Sequence, residues 1–458
     1  MTENVQVTNH DQTTSLIEDR REDGLAARPG ILEDEAMNMK GIMRKLAWAV
    51  GGLVAFVVVA HLTLVVVNWN DEPPSADAER LVAMKRDRPL LADSANGYIH
   101  ALSLAAAPDA DYKAARSPEV VALANACGEA SECAEALQTH PEALAQWLGS
   151  EQWLLERYRR MLATEGWREP IPTDIRAPLA GYQHAMEAQK LHLLAVRQQA
   201  LAGDAAAVRD LLERDLVFWR QVLASSDLLI SKMVAVAAVR RNLAFGNLAL
   251  RELPPDLADA AVPPSWRQPL TVAERSLARS LGGEWHVAGG ALRMVMSPEA
   301  RAGDLGQRVA DRLLRPLFQP QATLNLFAAR MVRLGALSEL PYPEIEQSLE
   351  RLAESHEDAS PGFRLYNPVG SILDFVAAPA YADYIARPAD LEGQRRAALL
   401  VAALRGAGIE HEGAAAAVRD APLRRPHDGA PFEWDAASGS VVFRGLEQGD
   451  RGTHAVLF

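Results

Sequence analysis

A chain of 458 residues, 49% apolar, 23% charged and 6% aromatic, has enough apolar material for a large core and is too apolar for an extended disordered polymer. Its 41 arginines and 6 lysines are outnumbered by 60 acidic residues, giving a formal charge of -13. No basic stripe of the kind that tracks phosphates stands out, so nucleic acid is not an expected partner.

Residues 1–39 open on TENVQVTNHDQTTS and carry nine acids against three arginines. Residues 1–44 therefore read as a disordered acidic cytoplasmic tail, too short to be a domain. From Leu46 to Val67 run 22 residues without a formal charge, with His61 and Thr63 as the polar side chains. As a helix they would measure about 33 Å, the thickness of a hydrocarbon core. A transmembrane anchor is expected over 45–69, with the lipid bilayer as partner through residues 46–67. Trp48 and Trp69 stand near its two ends, where indole rings favour the interface.

Lys40, Arg44 and Lys45 precede the span, whereas Asn70, Asp71 and Glu72 follow it, so the positive-inside rule places the N-terminus in the cytoplasm and exports the bulk of the chain. The apolar run is too long for a cleaved signal peptide, and Ala76-Asp77-Ala78 lies too far beyond it to be a cleavage site. An uncleaved signal anchor is the expectation. No cysteine directly follows the span, which excludes a lipoprotein, and a chain started at Met37, Met39 or Met43 would still carry the whole anchor. With six negative charges in the tail and three positive ones beside the span, residues 71–458 hold -10. Such a domain is expected to be repelled by anionic lipid and to stand off the membrane.

Beyond Pro73-Pro74-Ser75 the pattern is helical. Ser117-Pro118-Glu119, His140-Pro141-Glu142, Ser297-Pro298-Glu299 and Tyr342-Pro343-Glu344 repeat one starting device, in which proline needs no partner for its missing N–H and glutamate complements the positive helix end. Between Ile175 and Leu250, Gly203-Asp204 and Ser225-Ser226-Asp227 separate three long helices that short turns make antiparallel. The last, LLISKMVAVAAV at 228–239, is apolar nearly all round and is expected at the centre, with Lys232 either lying along apolar surface to reach water or partly desolvated. Residues 252–270, ELPPDLADAAVPPSWRQPL, read as a Pro-rich linker between a first helical part, 70–251, and a second, 271–421. Further helices are expected over 299–315, 322–335, 344–355, 370–386 and 390–406. In 422–458, Pro431 to Trp434 and Val441 to Phe443 alternate around a Gly439 turn as a β-hairpin, with His454 to Phe458 as a possible third strand. The fold class is thus mainly α: one N-terminal transmembrane helix, then a multi-helix domain of bundle or helix-pair type ending in a small β-hairpin.

Chemistry is sparser. Cys127 and Cys133 are the two cysteines, and in an oxidising compartment a disulfide is expected, which would contribute about 2 kcal/mol by closing so short a loop. A continuous helix through both would put them at the wrong spacing. His184, Glu187 and His192 suggest zinc ligands on one helix, but at 100° per residue Glu187 and His192 fall on opposite sides of His184, by about 60° and about 80°. His356-Glu357 and His411-Glu412 lack the second histidine of a metalloprotease helix. Ser371 lacks a nucleophile elbow, Ser231-Lys232 is not S-x-x-K, and Gly282-Gly283 and Gly289-Gly290 match no nucleotide-binding pattern. Glu354 and Glu357, in an acidic run before Ser360-Pro361-Gly362, are acid/base candidates; a solvated helix end is the plainer reading. The aromatic groups Trp147, Trp153, Tyr158, Trp167 and Tyr366, Phe375, Tyr381, Tyr384 read as core at helical spacing. No catalytic, cofactor-binding or metal residues are assigned, and no cofactor is expected.

Tyr366-Asn367-Pro368-Val369-Gly370, Leu391-Glu392-Gly393-Gln394-Arg395-Arg396 and Leu423 to Trp434, LRRPHDGAPFEW, resemble a group of uncharacterised bacterial envelope proteins. In that group a membrane anchor precedes a helical ectodomain ending in a hairpin with the motif G-x-P-[FLM]-x-[WY]; here Arg425 and His427-Asp428 replace its usual Asp, aromatic and hydroxyl residues. The resemblance covers the last quarter of the chain, with a weaker echo at Leu148 to Leu162, and implies architecture without an activity. Together with an arginine-rich composition, these features give a single-pass inner-membrane protein of a Gram-negative bacterium as the expectation. Its helical periplasmic domain would bind a protein or envelope partner in an assembly or accessory role. The alternative is a periplasmic hydrolase acting on peptidoglycan or lipid.

Overall fold

The computed structural model describes residues 29–105, 111–174, 176–177, 180–297, 305–357 and 364–458. It is mainly helical, with a small antiparallel sheet at the C-terminus. Contacts divide the chain into two units, Met1–Thr63 and Leu64–Phe458. Helix α1 (Pro29–Val67) begins well before residue 45, so part of the expected tail is helical; residues 1–28 lie outside the described residues. Within α1, Gly41–Val67 is long and apolar enough to cross a membrane. Thr63 is accommodated there by donating its hydroxyl to Val59 O at 2.9 Å.

In the second unit, α2 (Ala76–Arg86) and α3 (Gly97–Leu102) lead to four short helices, α4 (Pro118–Ala126), α5 (Ala130–Thr139), α6 (Pro141–Ser150) and α7 (Gln152–Leu162). Two of the Pro-Glu starts head α4 and α6; the one at Ser297 lies at the edge of residues outside the description, and the one at Tyr342 begins one residue before its proline. Then come α8 (Tyr182–Leu201), α9 (Ala205–Ser225) and α10 (Leu229–Leu250). Gly203, at φ 76°, closes α8, and Asp204 caps α9 by accepting from Ala207 N–H at 2.9 Å. As its all-round apolarity requires, α10 packs against both neighbours and a later helix.

The Pro-rich segment is not a linker. It folds into α11 (Pro255–Ala261) and α12 (Pro264–Arg267), followed by α13 (Val272–Arg275). Val262, Trp266 and Leu270 are buried in the same core as α8 to α10, and residues on both sides belong to one unit. Arg220 of α9 explains this: it donates to the carbonyls of Ser265, Gln268 and Pro269 at 2.8–3.0 Å and pairs with both oxygens of Glu274 at 2.6 and 2.9 Å. One buried guanidinium thus supplies donors to three carbonyls of this irregular stretch and ties it to α9.

Helices α14 (Ala278–Val295), α15 (Leu305–Leu314), α16 (Pro320–Ser338), α17 (Tyr342–Glu357), α18 (Pro368–Gly406) and α19 (His411–Asp420) complete the helical part. A second core cluster joins α2, α14, α16 and α17. Gly283 permits its closest approach, since a Cβ there would stand 1.6 Å from Asp227 O; the Gly282-Gly283 pair serves packing. The two helices expected over 370–406 are one of 39 residues. Pro388 costs α18 a hydrogen bond, but Ile385 and Ala389 are buried in the second cluster and Leu391, Ala397 and Val401 in the first, so packing on both sides carries the helix through.

Strands β1 (Glu433–Asp435), β2 (Ser440–Arg444) and β3 (Thr453–Leu457) form an antiparallel sheet in the order β1-β2-β3. Trp434 faces Val441, and Val441 faces Val456; the inward-facing Val441, Phe443 and Val456 seal the end of the first core.

Candidate functional site

The sequence candidates do not converge on a reaction centre. Glu354 is an exposed residue of α17, and the side chains of His356 and Glu357 lie outside the described residues. His184 lies tilted beside Tyr112, Glu187 pairs with Arg116 and Lys190, and His192 approaches Leu211 O, so the three diverge as their angular spacing requires. Cys127 and Cys133 are bonded, their Cα atoms 4.2 Å apart. The helix ends at Ala126 and restarts at Ala130, so the two cysteines flank a turn instead of sharing a helix. Trp147, Tyr158 and Trp167 are buried in the core.

Three buried polar assemblies escaped sequence reading. In the first, Asp215 of α9 accepts from Tyr158 OH at 2.5 Å, Gln189 Nε2 at 3.0 Å and Asn242 Nδ2 at 2.9 Å. Trp219 donates to the Tyr158 oxygen and Trp266 to Asn242 Oδ1. This joins α7, α8, α9, α10 and α12 through one carboxylate. Nearby, Lys232 is fully buried instead of lying along the surface, donating to Leu223 O at 2.6 Å and Glu274 O at 2.7 Å. Burial pushes its ammonium down to about 7. Glu169 accepts from the N–H groups of Asp227 and Leu228, each at 2.8 Å, and from Ser231 and Tyr182. Burial nevertheless raises its carboxyl to about 6.

The second assembly lies where α18 meets the sheet. Asp390 Oδ1 accepts from His427 Nε2 at 3.2 Å and Leu446 N at 2.8 Å; its Oδ2 accepts from His454 Nε2 at 3.0 Å and Glu447 N at 3.1 Å. Burial works to raise the Asp390 carboxyl, but the donors from His427, His454 and Leu446 outweigh it and hold it well below the usual carboxylate range. Gly445 is required here, because a Cβ would stand 2.3 Å from Asp390 Oδ2. Asp390, Glu447 and His454 bring ligand atoms within 4.8 Å of one another, a spacing that would admit a cation. The donor set does not fit one. Four hydrogen bonds already fill the Asp390 oxygens, His454 takes a hydrogen bond from Gln394 Nε2 at 2.8 Å on its other nitrogen, and the Glu447 carboxylate is held by Arg240 and Arg387. The cluster works as a clasp fastening the sheet to α18.

The third assembly gathers the residues that leave the apolar helix. Asn68 is buried; its Nδ2 donates to Leu365 O at 2.8 Å, its Oδ1 accepts from Asn367 N at 2.7 Å, and its carbonyl accepts from Gln319 Nε2 at 2.5 Å. Asp71 accepts from Gln321 N at 2.7 Å and Ala322 N at 2.9 Å, capping α16 from a distant stretch of chain and complementing its positive end. Asn325 accepts from Ser75 N at 2.9 Å and donates to Pro73 O at 2.9 Å and Glu72 Oε2 at 3.1 Å. Asn367, whose backbone is left-handed at φ 48°, caps α18 through Gly370 N at 3.2 Å and accepts from Gln319 N at 3.0 Å. Residues 68–75 are therefore an integral collar around the first turns of α16 and α18. No family model, curated protein or solved structure matches the chain.

Proposed function

We propose that this chain is a single-pass inner-membrane protein of a bacterial envelope, its N-terminus cytoplasmic and its helical domain periplasmic, acting without catalysis as an assembly or accessory factor that binds a protein or envelope partner. The collar supports the reading: Asn68 and Asp71, which follow the apolar stretch, are hydrogen-bonded into the framework of the helical domain, so the domain begins where that stretch ends, as expected of an ectodomain built on a single anchor. Lys40, Arg44 and Lys45, on the N-terminal side of the uncharged stretch 46–67, support the orientation, and the resemblance of the C-terminal motifs to anchored envelope proteins accords with it.

The test is crosslinking of the full-length protein in its own cells, followed by identification of what copurifies. A reproducible partner complex, weakened by Asp71→Ala at unchanged abundance, is expected. A partnerless monomer, or loss of phenotype in Glu354→Gln or Glu357→Gln at unchanged abundance, would overturn the reading in favour of a hydrolase.

A further inference from the structure

At 100° per residue, Val309, Leu313, Ala310 and Leu314 of α15 fall within one half of the helix circumference, while Arg308 and Arg312 fall in the other. In a helix of a water-facing domain that apolar half would be turned into the core. Here Val309, Leu313 and Leu314 are all exposed, as is every described side chain of α15. An apolar half-helix left bare on the surface calls for a specific cover.

The chain itself says which cover is adjacent. A short 3-10 turn, Arg315–Leu317, joins α15 to Gln319, and Gln319 Nε2 donates to the carbonyl of Asn68, one residue beyond the end of the apolar α1. Leu365, also exposed, is on the other side of the same residue, its carbonyl accepting from Asn68 Nδ2. Any surface built around Asn68 is within a few residues of where the chain leaves the bilayer. Arg308, Arg312 and Arg315 set three cationic groups against one acid, Asp311, in this stretch, the opposite of the acidic balance of the domain as a whole.

We propose that α15 is an interfacial helix that lies on the same membrane the chain is anchored in. Its apolar half, with Val309, Leu313 and Leu314, enters the boundary between headgroups and acyl chains. Arg308, Arg312 and Arg315 extend along it to lipid phosphates. The acidic domain thus does not stand off: one basic, apolar edge rests on the bilayer. This rests on the membrane-anchored reading above and adds a second lipid contact to it.

The full-length protein, reconstituted into vesicles of zwitterionic or partly anionic phospholipid, carries an environment-sensitive fluorophore on one introduced cysteine at a time. The positions are Val57→Cys in the apolar helix, Val309→Cys and Leu313→Cys in α15, and Val272→Cys beside the far end of α16, about 28 Å from its start. Nitroxide-labelled acyl chains should quench the probes at 57, 309 and 313 at least twofold more than the probe at 272. The effect at 313 should weaken in zwitterionic vesicles and in Arg308→Gln/Arg312→Gln. Quenching at 57 with a probe at 313 as wet as that at 272 would overturn this inference alone. A probe at 313 shielded from water yet unquenched by lipid would mean that protein covers α15, which also overturns it. No quenching at 57 would instead remove the anchor on which it depends.

Discussion

Lys232 is held by the carbonyls of Leu223 and Glu274 with no carboxylate in hydrogen-bond contact, and burial brings its ammonium down to about 7. A lysine in an unfolded chain titrates near 10.4. Between these limits the unfolded chain binds more protons, so stability rises with pH across roughly 7 to 10, at most by about 1.4 kcal/mol per unit, and this increment is lost as pH falls through 7. Glu169 acts in the other sense and in another window: raised from 4.5 to about 6, its contribution is complete below the unfolded value and lost as pH rises through 6. Urea unfolding at a series of pH values should therefore show Lys232→Met abolishing the rise above pH 7 and leaving the fall between pH 4.5 and 6 in place. A parallel offset at every pH would show that the amine stays charged in the fold.

The elements around the collar are fixed by partners far away in sequence, Asn68 to Asn367 being 299 positions apart and Asp71 to Ala322 251. That explains what could be read beforehand and what could not. Helix starts at Pro118 and Pro141, the turns at Gly203-Asp204 and Ser226-Asp227, and the strands around Gly439 each announce themselves within a few residues, because caps, turns and alternation are local devices. Nothing local marks Asn68 as buried, Arg220 as the guanidinium that turns a Pro-rich stretch into core, or Asp390 as the centre of a clasp; a single polar residue carries no periodicity. At Asn367 the structure makes a graded prediction. Asn367→Gly keeps the left-handed backbone but loses the cap to Gly370 and the acceptor for Gln319, whereas Asn367→Ala loses both and adds about 1 kcal/mol of backbone strain. Denaturant midpoints should fall in the order native, Gly, Ala. Hydrogen exchange at the Gln321 and Ala322 amides should accelerate about tenfold in Asp71→Ala; unchanged exchange there would mean that α16 is capped some other way.

For the whole molecule, orientation and the Cys127–Cys133 bond are coupled, because a disulfide persists only where the surroundings are oxidising. Under the orientation proposed above, everything after Val67 is exported: three cations, Lys40, Arg44 and Lys45, precede the uncharged stretch 46–67 within α1, and Asp71 and Glu72 follow it. All of Leu64–Phe458 is one unit, so a single reporter suffices for it. An enzyme active only outside the cytoplasm, fused after Phe458, should be active in the full-length protein and silent when residues 1–67 are removed. Thiol labelling of the unfolded, unreduced chain should find no free cysteine in the first case and two in the second, with the reduced form less stable by about 2 kcal/mol. Activity with two free thiols would separate the two properties, leaving the export and removing the bond; an inactive reporter with two free thiols would invert the topology and place the helical domain in the cytoplasm.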